Sequence, residues 1–258
     1  MRLLEYLCRR TLAGALLLTT LALAPAAGKS MEMPVPGVMP NFWWSAPETG
    51  LGLLGRVEVG TRLTLFRLRE QRRHWPDSFY GTITELREEQ NYWPLKPFVR
   101  FNCHRYWGLE ASWDQMRVKT LCSPADGQSD GCIDLHGPIF SVGGRYPLAR
   151  CVPYIGLGLM LIHSSFDPTD SWHYRGGTAQ DASVQDFTFD NTWAPVIYGG
   201  VGLQLSEHWS ADLYLRYLEV DIKGEHYFTW HGQRLNDVRR LKFPLSNSAV
   251  GLSLRYAF

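Results

Sequence analysis

The chain has 258 residues, with 26 Lys and Arg against 25 Asp and Glu, for a formal net charge of +1. That balance argues against a nucleic-acid partner, because phosphate binding needs a concentrated basic surface. A mean hydropathy of −0.20 with 24 Gly and 13% aromatic residues suits alternating strands. Beyond residue 30 no uninterrupted apolar run approaches the roughly 18 residues needed for a helical span.

The first segment is predicted to be a secretory signal peptide, residues 1–26. Arg2, Arg9 and Arg10 form a basic region, an apolar run follows, and Ala24-Pro25-Ala26 offers the small residues of a cleavage site. Cys8 precedes the apolar run, so it is not placed as a lipoprotein cysteine. Residues 27–55 read as an extended periplasmic lead-in punctuated by Pro34, Pro36, Pro40 and Pro47. Phe42, Trp43 and Trp44 suit a membrane interface, and they suit plain packing on the domain at least as well.

Residues 56–258 read as one all-β domain. In the first strand, near 56–68, Val57, Val59, Thr61, Leu63 and Leu65 alternate with Glu58, Gly60, Arg62 and Thr64. Residues 70–92 read as a polar loop, with a strand extension at 79–85. A second strand is expected near 96–103, then a tight turn at His104, Arg105 and Tyr106. The third runs near 107–118, where Leu109, Ala111 and Trp113 oppose Glu110, Ser112 and Asp114. Cys122 and Cys132 bracket a turn-rich stretch. They are expected to bridge and staple it, worth about 2–3 kcal/mol by chain entropy. Cys103 and Cys151 fall near two turns on the opposite side, and the sequence leaves their pairing open.

The fourth strand is expected near 133–146 and the fifth near 152–163, with Ile155, Leu157, Leu159 and Leu161 on one face. Residues 164–191 read as a long loop. The sixth strand is expected near 193–205 and the seventh near 209–221, where Leu213, Leu215 and Tyr217 oppose Asp212, Tyr214 and Arg216. Residues 223–243 read as another long polar loop. In the closing strand Val250, Leu252, Leu254, Tyr256 and Phe258 share one parity, and Gly251, Ser253, Arg255 and Ala257 share the other.

This makes eight strands whose connections alternate long and short, with both ends on the short side. The fold expected is an eight-stranded antiparallel up-and-down transmembrane β-barrel. A soluble lipocalin-like barrel shares the strand number and the alternation but does not need its long loops on one side. The charge-free parity, including Leu157, Leu159, Leu213, Leu215, Val250, Leu252 and Leu254, is predicted to face lipid. Glu58, Arg62, Glu110, Asp114, Asp212, Arg216 and Arg255 share the other parity and are predicted to form a lumen charge network. An eight-stranded barrel is only wide enough for side chains to fill, so these charges must pair and plug the axis.

The closing strand resembles that of bacterial outer-membrane barrels, in which the terminal aromatic strand, here Tyr256 and Phe258, is the signal read by the assembly machinery. W-A-P-V-I-Y-G-G-V-G-L-Q-L-S-E-H-W-S-A-D-L-Y-L-R-Y-L-E-V-D-I-K-G, residues 193–224, resembles the late hairpin of the OmpW-like small barrels. V-P-Y-I-G-L-G-L, residues 152–159, is similar to their P-Y-x-G-x-G strand. The same Gly-aromatic rhythm occurs in OmpA-like barrels. The resemblance implies an outer-membrane monomer surrounded by outer-membrane lipids, with the barrel-assembly machinery as partner and no cofactor. It also implies passage of small hydrophobic molecules through a barrel opening toward the membrane. OmpW-like barrels have an apolar lumen, whereas the lumen predicted here is charged, as in OmpA-like barrels.

His163-Ser164-Ser165 is the sharpest catalytic candidate. Its H-x-S spacing puts an imidazole and a hydroxyl on one strand face, as in lipid A deacylases of the PagL kind, with Asp167 or Glu219 as the acid. A polar strand rim explains the same residues more simply. His74, His104, His136, His173, His208, His226 and His231 show no metal-ligand spacing, and no metal site is expected. The function expected is therefore a non-enzymatic outer-membrane barrel, in envelope structure or small-solute passage. A lipid A-modifying enzyme using His163 and Ser165, and a surface adhesion barrel using its long loops, are the alternatives.

Overall fold

The computed structural model describes residues 57–72, 83–90, 95–123, 128–148, 151–169, 174–175, 183–230, 233–235 and 238–258. The signal peptide at 1–26, the lead-in at 27–55 with Phe42, Trp43 and Trp44, and His74, His173 and His231 lie outside the described residues.

The strands are β1 (Val57–Leu68), β2 (Glu85–Glu89), β3 (Leu95–Phe101), β4 (Trp107–Ser123), β5 (Gln128–Arg145), β6 (Cys151–Pro168) and β7 (Tyr174–Arg175). They continue as β8 (Ser183–Phe189), β9 (Thr192–Gln204), β10 (Trp209–Leu218), β11 (Asp221–Trp230), β12 (Gln233–Arg234), β13 (Arg239–Pro244) and β14 (Asn247–Ala257). The main sheet runs β2-β4-β3-β1-β14-β10-β9-β6-β5 and closes through a β4–β5 pairing. β3 pairs with the lower part of β4 and β2 with its upper part. The two therefore share one position in the wall, and the barrel has eight strands, all antiparallel.

Val57 and Ala257 lie at the end that carries the β3–β4, β5–β6 and β9–β10 turns. The opposite end carries the longer excursions. Among the described residues, the loops expected at 164–191 and 223–243 contain much strand. β6 runs on to Pro168, and β8, β11 and β13 extend the wall above β9, β10 and β14 as a second sheet. In β11 the inward Ile222 and His226 are buried while the outward Lys223 and Glu225 are exposed. Charges confined to one parity mark a strand rather than a loop. Of the extension expected at 79–85, residues 79–82 lie outside the described residues, and a strand is present at Glu85–Glu89.

The outer face is apolar. Ile155 is 66% exposed and Leu252 65%, in company with Leu63, Leu65, Val99, Leu109, Phe140, Val142, Ile197, Val201, Leu213, Leu215, Val250 and Leu254. A contiguous apolar belt on this scale does not face water in a soluble monomer. Trp107 and Trp209 lie at its lower edge and Trp113 and Trp193 at its upper edge. Aromatic girdles of this kind sit at the two membrane–water interfaces. β9 has 13 residues; at about 3.3 Å each and a barrel tilt it climbs roughly 30 Å, enough for the hydrocarbon core.

Glycines let the wall and the lumen fit each other. Gly143, Gly156 and Tyr198 are consecutive cross-strand partners on β5, β6 and β9. The Tyr198 ring lies where a Cβ at either glycine would project, so the two glycines make room for one phenol.

Candidate functional site

The interior has two layers. The lower one is built by register. Glu58, Arg100, Glu110 and Ser141 are successive partners across β1, β3, β4 and β5. Asp212, Ser253, Arg62 and Lys96 follow one another across β10, β14, β1 and β3. Strand pairing thus sets carboxylates beside cations before any side chain chooses a rotamer.

Glu58 is the hub at the lower end. It accepts from Arg255 Nη1 at 2.9 Å, Asn102 Nδ2 at 2.7 Å and Arg145 Nη1 at 3.3 Å. Glu110 accepts from Arg62 Nη2 at 2.7 Å and from Arg100 Nε and Nη2 at 3.1 and 2.8 Å. Arg255 Nη2 also lies 3.1 Å from Asp212 Oδ1, and Ser253 Oγ donates to Asp212 Oδ2 at 2.7 Å. One step higher, Asp114 is paired with both Arg216 and Lys96. Arg216 in turn donates to Asn247 Oδ1 at 2.9 Å. Tyr154, Tyr198 and Tyr214 complete the layer. The Arg62 guanidinium lies between Phe98, 4.0 Å to the ring centre, and Tyr214, 4.3 Å. Arginine serves this layer because its planar fork reaches two acceptors and stacks on aromatic faces.

All seven residues of the expected charge network are buried within this layer. Lys96, Arg100, Asn102, Arg145 and the three tyrosines belong to it as well and were not singled out from the sequence. The signal was present in L-K-P-F-V-R-F, where Lys96, Phe98 and Arg100 share a parity and alternate with Leu95, Pro97 and Val99.

The upper layer is apolar. Phe66, Leu68, Leu86, Met116, Val118, Ile133, Leu135, Met160, Ile162, Leu218, Ile222, Leu241 and Phe243 form one buried cluster, with Phe166, Phe187 and Phe189 packed against it. It draws on both the main sheet and the second sheet. The interior is therefore charged in its lower part and apolar above. Along β4 the inward residues run Glu110, Asp114, Met116, Val118, and along β10 and β11 they run Asp212, Arg216, Leu218, Ile222. The change from charge to hydrocarbon is written on a single parity.

Among the described residues the β1–β3 ladder reaches Leu63 and Leu95. Higher up, β1 and the residues after it meet β2 along a seam where side chains add to the backbone bond from Leu86 N to Gln71 O, 2.7 Å, and the bridge between Arg72 and Glu85. Gln90 accepts from Phe66 N at 3.0 Å and donates to Phe66 O at 2.5 Å. Glu88 Oε1 accepts from Leu68 N at 2.8 Å and from Gln71 Nε2 at 2.6 Å.

Leu157, Leu159, Leu213, Leu215, Val250, Leu252 and Leu254 lie exposed on the outer face, as does Phe258 beside Tyr256, with ring centres 5.2 Å apart. The expected bridge between Cys122 and Cys132 does not form, and no disulfide joins any of the four described cysteines. β4 and β5 run further than expected, so both thiols lie within strands. Cys132 is the partner of Lys119, and Cys122 bonds to the buried Asp130. His163 and Ser165 share the outer face. Asn191 Oδ1, not a carboxylate, takes the His163 Nδ1 bond at 2.9 Å. Neither Asp167 nor Glu219 is a hydrogen-bond partner of His163.

No protein-family model and no curated protein matches the sequence. Among solved structures, the outer membrane protein OprG from Pseudomonas aeruginosa aligns at a TM-score of 0.55 and 13% identity, over 78% of this chain and 94% of that one. Outer membrane protein AlkL, determined in lipid bilayers, aligns at 0.54 and 15% identity, over 78% and 89%. The chain has the fold of the small eight-stranded outer-membrane β-barrels.

Proposed function

We propose that this chain is a monomeric barrel of the bacterial outer membrane that takes small apolar molecules into its upper interior and hands them to the lipid. It does so without catalysis and without conducting along its axis. The observation that carries this reading is the division of the interior, with a buried hydrocarbon layer above and a floor of ion pairs below. An apolar solute is stabilised in the upper layer by transfer from water. It is stopped at the floor, where it would have to separate paired buried charges. Solutes leave for the lipid at the seam between β1 and β2, where the side chains of Gln90 and Glu88 hold Phe66 and Leu68. Entry into the membrane relies on the assembly machinery reading the strand that ends in Tyr256 and Phe258.

The test is transfer of an apolar fluorescent probe into liposomes carrying the purified barrel. Transfer faster than in protein-free liposomes is expected, with a further rise in Gln90→Ala. Equal rates with and without protein would refute the reading. The lipid A-modifying alternative gains nothing from the geometry at His163, where an amide oxygen stands in the place of the acid.

A further inference from the structure

His136 on β5 and His163 on β6 are direct cross-strand partners on the outer wall. Their ring centres are 5.9 Å apart with planes at 32°. They lie next above the upper aromatic edge, and His136 is stacked on Trp113 at 6.1 Å. Asn191 Oδ1 lies 2.9 Å from His163 Nδ1. With that nitrogen donating its hydrogen to the amide oxygen, the Nε2 lone pair of His163 is left to face outward.

We propose that His136 and His163 form a two-imidazole site for a divalent late transition metal, Cu²⁺, Ni²⁺ or Zn²⁺, on the outer wall of the barrel. Metal–nitrogen bonds of about 2.0–2.1 Å hold two imidazole centres on one ion roughly 4.5–6 Å apart, and the observed separation lies at the open end of that interval. Imidazole nitrogens select these metals over the hard, oxygen-loving cations. The bond to Asn191 is the outer support that metal-bound imidazoles ordinarily have; it fixes tautomer and ring orientation. The neighbouring charges cancel, because Arg117 Nε and Nη2 grip both oxygens of Asp134 at 2.6 Å. A cation is therefore not repelled. Among the described residues no three or more His, Cys, Asp or Glu side chains gather into a metal cluster, so water fills the remaining coordination positions.

The site lies beside a lapse in the wall. The β5–β6 register pairs His136 with His163 and then resumes at Ile139 with Met160, omitting Gly137 and Pro138. Proline has no N–H for the ladder. A metal on the two histidines would clamp β5 to β6 where the backbone bonds are missing.

The test is isothermal titration of the folded, detergent-purified chain with CuCl₂ and ZnCl₂, together with Cu²⁺ electron paramagnetic resonance. One saturable equivalent is expected to disappear in His136→Ala and in His163→Ala. It should weaken about tenfold in Asn191→Ala and persist in His208→Ala, at the opposite end of the barrel. The resonance should show two imidazole nitrogens in the wild type and fewer in each histidine variant. All the variants are checked for heat-modifiable migration, so misfolding is recognised separately. Unchanged stoichiometry in both folded histidine variants, or a resonance without imidazole nitrogens in the wild type, overturns the proposal.

Discussion

Asp114 shows how little slack a single residue has in the charged floor. It is paired with Arg216 and Lys96, and all three side chains are almost wholly buried. Removing one partner leaves the others charged and dry, at a cost of about 3–5 kcal/mol. Arg216→Ala is therefore expected to lower the chemical unfolding midpoint strongly. Lys96→Met, Asp114→Leu and Arg216→Met combined should lose less than Arg216→Ala, because the whole buried cluster is removed and no charge is stranded. Denaturant titration in detergent compares them, and a triple variant worse than the single one contradicts the pairing. On the outer face the logic is desolvation by lipid. Leu252→Arg puts a cation on the lipid face, at about 2–4 kcal/mol near the midplane. Glu207→Arg, in the exposed β9–β10 turn, should fold into vesicles like the wild type. Tyr214 would be a poor control, since its ring covers Arg62 and Tyr214→Arg would set two guanidinium groups face to face.

Elements differ in how clearly they could be read. The wall strands with apolar residues on one parity and charges or glycine on the other, β1, β6, β10 and β14, were legible because lipid and lumen make opposite demands on alternate residues. β8, β11 and β13 read as loops because their outward face meets water, so charge there looks like a connection. The same misreading produced the expected disulfide, since Cys122 and Cys132 flank a loop only while β4 and β5 are taken to stop short of them. Non-reducing peptide mapping should find Cys122 and Cys132 unlinked. Cys132→Ser, on the outer face, should leave stability within about 0.5 kcal/mol of the wild type. A mixed peptide joining the two cysteines would show that the outer parts of these strands can separate. The seam between β1 and β2 was not legible at all. Gln90 and Glu88 reveal their part only when Phe66 and Leu68 are beside them, a long-range pairing that no local pattern announces.

Across the whole molecule the axis is closed twice, by different physics, and the two closures can be tested separately. The floor blocks it with paired charges, and the upper layer blocks it with packed hydrocarbon. Arg100→Ala with Glu110→Ala removes the centre of the floor and lets water enter from below. Glu58 keeps Arg255 and Arg145, and Arg62, which loses Glu110, keeps Phe98 and Tyr214 on its two sides and meets the entering water, so the barrel should survive. Ions still meet the layer formed by Met116, Val118, Ile133, Ile162 and Phe243. A narrow apolar constriction stays dry and blocks ions even where its radius would pass them. The floor variant is therefore expected to show no stable single-channel current in a planar bilayer. Phe243→Ala, with the floor intact, should cost about 3–5 kcal/mol and leave an apolar cavity that takes up small hydrocarbons rather than water. It too should not conduct. Current is expected only when both layers are breached in one chain. A steady conductance in the floor variant alone would mean that the upper layer opens to water at equilibrium, and a dry apolar layer could then no longer be what this barrel offers to its solutes.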